Sequence, residues 1–217
     1  LDKNFKIISV FERAAASDIL LTKKGTSFKS MPEGSIIGTS SPRRKAQIKI
    51  LRPDLNTISV RGNIATRIKK LHDNHFDGLI IAKAAMERLN LSFENTYEFS
   101  YQEMLPAASQ GFIGIECISS NKDLIKMLDS INSEKDMVLA EAERSFVAQL
   151  NGSCLSPIAI YCREESTHVL ISAKALSQNG DKQIFKEIIS SHASINEDIR
   201  SLAKEFISKG ADKLILS

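Results

Sequence analysis

Residues 35–51 read SIIGTSSPRRKAQIKIL, and the fold turns on how this stretch is divided. Ser35-Ile36-Ile37 is a short apolar run and reads as a strand. Ser41 suits a helix N-cap, because its hydroxyl can accept from the unpaired N–H groups of the first turn, and Pro42 suits the first helical position. The helix must stop near Leu51, since Pro53 disfavours helical geometry just before it. Two arginines, Arg43 and Arg44, therefore stand in the first turn of a helix that follows a strand end. Adjacent helical residues diverge by roughly 100°, so the two guanidinium groups can serve two different anions.

The same order recurs downstream. Thr57-Ile58-Ser59-Val60 reads as a strand, Arg61-Gly62-Asn63 as a turn, and Ile64, Ile68 and Leu71 share one helical face. Leu79 to Ala82 reads as a third strand, followed by a helical stretch through Arg88 and Leu89. Repeated strand–turn–helix units predict a parallel sheet with crossover helices. Ligands of such sheets bind beyond the carboxyl ends of the strands. That edge collects Thr39, Ser40, Ser41, Arg43 and Arg44, then Arg61, Asn63 and Arg67, then Lys83 and Arg88. Helix N-termini and arginine forks together suit carboxylate or phosphate binding. The spacing does not match a GxxxxGK[ST] loop.

The second half differs in character. Residues 105–109 read as a connection and Gly111 to Cys117 as a glycine-punctuated strand. Leu124, Ile125, Leu128 and Ile131 mark a helix. Another starts near Ser133, with Asp136 as a capping-box partner, and carries Val138, Ala142, Phe146 and Leu150 on its apolar face. Pro157 to Cys162, His168 to Leu176 and Gln183 to Ser191 read as strands, with Asn179-Gly180 as a hairpin turn. Ile199, Leu202, Ala203, Phe206 and Ile207 mark a last helix before Gly210. The expected fold is α/β, with a small α+β C-terminal domain built on a three-stranded antiparallel sheet.

The chain has 217 residues, is 42% hydrophobic and carries a formal charge of +3, which suits one or two ordinary cores and does not indicate a general nucleic-acid binder. It has no apolar run of membrane-spanning length and no signal-peptide pattern at its start, so neither a membrane nor an export route is expected. Cys117, Cys154 and Cys162 form no CxxC pair, which argues against a metal, and thiols of this kind fit the cytoplasm. On spacing alone Cys154, in NGSCLSPIAIY, reads as a buried loop thiol with no nearby histidine to activate it.

Several stretches together resemble the porphobilinogen deaminase (hydroxymethylbilane synthase) family. They are GTSSPRRKAQ (38–47), RPDL (52–55), VRGNIATR (60–67), LIIAKAAMERL (79–89), LPAASQGFIGIEC (105–117) and AERSFVAQLNGSCLSPI (142–158). The resemblance implies a periplasmic-binding-protein-like parallel-sheet domain at residues 1–105 with a hinge at its start. It implies a return segment at 106–132 that belongs to a further domain, and a C-terminal domain at 133–217. It implies a dipyrromethane held by a thioether on Cys154. Ser40, Arg43, Arg44, Arg61 and Gly62 would bind this cofactor, and Thr39, Arg67 and Arg88 the substrate.

The implied reaction joins four porphobilinogen molecules head to tail, releasing ammonia, in tetrapyrrole (haem) biosynthesis. The implied protein is a transferase, monomeric when full length, with no nucleic-acid partner. The family's catalytic Asp belongs to an H-S-x-K-D motif absent from this sequence, which starts roughly where the family enters its second domain. Asp18 and Asp54 sit in other motifs, so this chain alone is expected to bind pyrrole carboxylates without turnover. Residues 12–18 (ERAAASD) and Ser153 also depart from the pattern, which has an acidic, proline-containing run and a glycine there. Without partner strands, Phe112, Ile113 and Ile115 are expected to be exposed, re-paired or covered. The alternative is a non-catalytic α/β module that binds carboxylates. RNA binding is poorly supported at 6% aromatic content, with no aromatics among the basic segments.

Overall fold

The computed structural model describes residues 4–23 and 25–217; residues 1–3, where the first expected domain begins, lie outside them. In chain order the first part contains β1 (Phe5–Val10), β2 (Asp18–Thr22), β3 (Ile36–Gly38), α1 (Pro42–Leu51), β4 (Asn56–Ile58), α2 (Ile64–His72), β5 (Gly78–Ala82), α3 (Lys83–Arg88) and β6 (Thr96–Glu98). The second part contains β7 (Gly114–Ile118), α4 (Lys122–Asp129), α5 (Glu134–Gln149), β8 (Ile158–Glu164), β9 (Val169–Leu176), β10 (Gln183–Ser190), α6 (Ile195–Ser208) and α7 (Ala211–Leu214). Among the described residues no helix is long and apolar enough to cross a membrane.

Five strands form the first sheet in the order β4-β3-β5-β2-β6. The expected parallel core is there, since β3 runs parallel to β4 and β5. The sheet as a whole is mixed, because β2 runs antiparallel to both β5 and β6. Strand β2 has no counterpart in the sequence reading: DILLT is short and opens on a charge. Its sense has a direct consequence. Asp18 pairs with Ala82, so the start of β2 reaches the edge where β3 and β5 end.

Both faces of this sheet are covered, as side-chain alternation requires. Leu20, Ile37 and Ile80 pack on one side with Ile48, Phe99 and Met104. Ile19, Leu21, Leu79 and Ile81 pack on the other with Val60, Leu71 and Met86. Each such buried aliphatic side chain contributes roughly 1.5–3 kcal/mol. The helix at 42–51 forms as expected, with Ser41 Oγ accepting from Arg44 N. The strand expected at 57–60 instead spans 56–58. Val60 leaves the ladder because Ser40 Oγ both donates to its carbonyl and accepts from its N–H.

Strand β7 is re-paired: it runs antiparallel to β1, a strand the sequence reading did not identify. The ribbon is tied to the C-terminal part by Ser133 N donating to Val10 O and Val10 N donating to Asn132 Oδ1, both at 2.9 Å. Its apolar side chains are divided. Ile113 is 43% exposed, as are Phe5 and Ile118 to a similar degree, whereas Phe112 is half-buried.

Strands β8, β9 and β10 form the expected antiparallel sheet. One face packs on α5 and α6 through Phe146, Ile160, Ile171, Leu202 and Phe206. At the start of α5, Ser133 and Asp136 do interact, but hydroxyl to carboxylate, without the backbone bond of a capping box. The β9–β10 turn docks on α1, the helix that carries Arg43 and Arg44. Gly180 has φ +74°, and a Cβ there would lie 2.5 Å from Ala46 O and 2.9 Å from Lys49 Cβ. Gly180→Ala is expected to lower the urea midpoint, costing more than about 1 kcal/mol because φ is positive and the space is filled. An unchanged midpoint would show that the turn does not bear on the helix.

Candidate functional site: the arginine edge and the Cys154 cleft

The antiparallel sense of β2 brings a carboxylate to the edge expected to hold cations. Asp18 is fully buried. Its Oδ1 accepts from Arg44 Nη2 at 2.7 Å and Nε at 3.2 Å, and from Gln110 Nε2 at 2.9 Å. Its Oδ2 lies 2.8 Å from Arg43 Nη1, an ion pair without hydrogen-bond alignment. Burial raises the Asp18 carboxyl, but Arg43 and Arg44 more than reverse this, so it lies below the ordinary range and stays charged.

The arginines are held further by carbonyls. Arg43 Nη1 donates to Leu105 O at 2.7 Å and Arg44 Nη1 to Ile80 O at 3.1 Å. Arg43 is 3% exposed, and its Nε is buried with no partner among the described residues. An arginine stays protonated even so.

Gln110 extends the network. It accepts from Arg43 Nη2 at 3.2 Å through Oε1 and donates to Ala16 O at 2.6 Å. Its carbonyl accepts from Arg13 Nε at 2.9 Å. Arg13 then forks onto Glu143 of α5 at 2.7 and 3.1 Å, between the rings of Phe112 and Tyr161 at 4.3 and 4.5 Å. Glu143, fully buried, also accepts from Ser109 N and Cys162 N. Burial holds its carboxyl above the ordinary range, although Arg13 and the two N–H groups pull it part of the way back.

Cys154 is exposed, which corrects the reading of a buried loop thiol; Cys117 and Cys162 are buried. The turn after α5 lifts it out. Asn151 has φ +53°, and Ser153 and Ser156 bond each other's backbone and side chain across the loop. The thiol opens into a cleft of about 570 Å³ that Arg43, Ser41 and Arg144 also line. Burial holds the Cys162 thiol far above its usual pKa, so it is poorly suited to act as a nucleophile.

Of the expected site residues, the cleft wall brings together Arg43 and Cys154. Thr39 is buried, its hydroxyl accepting from Ser41 N, and Ser40 is engaged with Val60. Arg44 is turned to Asp18. Arg61 and Gly62 are exposed at the turn before α2, and Arg67 Nε bonds Gly62 O at 2.7 Å. Arg88 bonds Gly111 O at 2.6 Å. Sequence reasoning missed Arg13, Gln110, Glu143 and Arg144, and gave Asp18 no role. Glu143 carried a signal, since it lies four residues from Leu139 and three from Phe146, on the helix's apolar face.

An α/β sheet with arginines at its edge and an α+β unit that brings an exposed thiol to the same cleft define the class: a two-part α/β protein with a cationic, thiol-bearing cleft. Two family models match the chain, porphobilinogen deaminase dipyromethane cofactor binding domain at residues 1–126 and porphobilinogen deaminase C-terminal domain at 137–208. A porphobilinogen deaminase of Campylobacter hominis is 39% identical over 215 residues, 98% of this chain and 70% of that protein. One of Campylobacter jejuni strain RM1221 is 39% identical over 211 residues, 96% of this chain and 68% of that protein. A Salmonella typhimurium periplasmic binding protein of high arginine specificity overlays with TM-score 0.39 at 14% identity, covering 61% of this chain and 63% of that one, too little to inform the site. The chain belongs to the porphobilinogen deaminase family, a family of transferases.

Arg13→Ala is expected to destabilise the protein by about 3–5 kcal/mol, because it leaves the Glu143 carboxylate buried without its cation. Pairing Arg13→Met with Glu143→Leu should recover part of that loss in chemical denaturation. Equal losses in the single and double variants would remove the bridge from the account.

Proposed function

We propose that the Cys154 cleft is the cofactor cleft of a porphobilinogen deaminase, which joins four porphobilinogen molecules head to tail into hydroxymethylbilane with release of ammonia. The observation that carries this reading is the meeting on one cleft wall of the exposed Cys154 thiol and Arg43, a buried cation. The residues fit a dipyrromethane. Cys154 offers the sulfur for the thioether, and Gly152 and Ser153 keep the approach to it narrow in side chain. A cleft of about 570 Å³ lies within the usual range for small-molecule sites.

Arg43 and Arg144 would hold the cofactor's carboxylates, the first from a fixed position and the second from an exposed helix face. Bound through Cys154, the dipyrromethane supplies the pyrrole carbon onto which the chain is built. Asp18 holds Arg43 and Arg44 in place at the sheet edge, so that little reorganisation is needed when an anion arrives. Arg61, with Gly62, and Arg67 and Arg88 lie at later strand ends of the same sheet, where a lengthening polyanion would meet them. Thr39 and Ser40 act through the backbone they hold.

The chain is best divided near residues 105 and 132, with the ribbon of β7 forming the piece between. The pairing of β7 with β1 joins residues 5–10 to that piece, so the ribbon draws on both sides of the division near 105 while standing apart from the five-stranded sheet.

The test is intact and peptide mass after exposure to porphobilinogen or hydroxymethylbilane. The pyrrole adduct is expected on the peptide that contains Cys154 and is expected to be absent from Cys154→Ser. Arg43→Met should reduce adduct retention well beyond the effect of changing an exposed lysine. An adduct on Cys117 or Cys162, or a full adduct on Cys154→Ser, would overturn the assignment.

A further inference from the structure

A second cavity, of about 260 Å³, lies between the open face of the C-terminal sheet and the connection after β6, and it shares no lining residue with the Cys154 cleft. Strand register sets its floor. Lys174 of β9 stands opposite Phe185 of β10, and Ser172 opposite Glu187, so the ammonium and the carboxylate are diagonal neighbours on one face. Tyr161 of β8 stands opposite Ser172 and completes the floor. Tyr101 and Leu105 belong to the roof, with the Tyr101 and Tyr161 rings 4.5 Å apart.

The charges here are incompletely matched. Lys174 is half-buried and forms no ion pair or hydrogen bond among the described residues; its Nζ lies 5.4 Å from the centre of the Phe185 ring. Burial lowers its pKa, the mark of a desolvated charge without compensation. Glu187 accepts from Ser172 Oγ at 2.6 Å through one oxygen. Arg163, on the same wall, is held by Glu165 at 2.8 Å. Phe185 is 53% exposed, an aromatic surface between the two charges.

We infer that this cavity is a binding site for a small aromatic carboxylate that also carries a cationic amine. The ring lies against Phe185 under Tyr101, the carboxylate meets Lys174, and the amine meets Glu187. The volume is below that of drug-sized pockets and suits one ring with short substituents. Two features argue for this class over a simple anion: the apolar aromatic floor, and the carboxylate that a purely anionic guest would have to pass. The site also sits close to the arginine edge, since Leu105 of the roof is the residue whose carbonyl holds Arg43.

Calorimetric titration of the intact protein with 4-(aminomethyl)benzoate tests the inference, with its methyl ester and benzoate as the two single-charge controls. Saturable one-to-one binding is expected, weakened about tenfold or more for each control, the effect of losing one charge-assisted contact. Lys174→Met should erase the preference for the acid over its ester, and Glu187→Gln the preference for the amine over benzoate. Urea midpoints for both variants report whether the sheet is intact. Equal affinity for acid and ester, or no saturable binding by the unaltered protein, overturns the inference. Affinity lost on Arg144→Ala but kept on Lys174→Met places the probe in the Cys154 cleft and overturns it as well.

Discussion

A buried carboxylate shared by two arginines sets the geometry of this molecule. Asp18 reaches them because β2 runs against its neighbours, so the start of that strand meets the ends of β3 and β5. Without it, the first turn of α1 would bury a guanidinium at 3% exposure beside a second, half-buried one. Taking such charges out of water costs several kcal/mol each unless an opposite charge and hydrogen bonds offset it. Asp18, Leu105 O, Ile80 O and Gln110 supply that offset. The same groups leave Arg43 Nε without a partner among the described residues.

From Asp18 the polar network continues through Gln110 and Arg13 to Glu143, and so crosses from the five-stranded sheet into the C-terminal helix α5. The helix that receives it ends at the loop of Cys154. Position and orientation of the thiol relative to the arginines are thus set by two hydrogen-bonded ion pairs in series, with the Gly180 turn as a third point of contact on α1. A buried network of this kind, with most of its polar atoms paired, favours one arrangement. That suits a site in which a covalently tethered polyanion must meet fixed cations.

Much of this was legible in the order of residues. Ser41, Pro42 and Pro53 bounded α1, and Asn179-Gly180 marked the hairpin, because caps and turns are local chemistry. The matches around GTSSPRRKAQ and NGSCLSPI pointed to the family. What stayed hidden depends on distant contacts. Strand β2 is five residues opened by an aspartate, and nothing near it in sequence shows that two arginines some 25 positions later make that charge tolerable. Strand β1 exists through pairing with β7, more than 100 positions away. Cys154 read as buried because it stands on a loop with no histidine near it in sequence, whereas the turn at Asn151 and the Ser153–Ser156 bonds leave it exposed on the cleft.

The most direct measurement is a double-mutant cycle on Asp18→Asn and Arg44→Met in urea at neutral pH. If the shared carboxylate holds the edge together, the coupling should reach about 1.5 kcal/mol or more, as for close charge pairs. The sign with pH follows from the lowered Asp18 value in the folded state. Coupling should be complete above the unfolded aspartate pKa of about 3.9 and fade as pH falls through the folded one. Losses that simply add, within about 0.5 kcal/mol at neutral pH, would contradict the account.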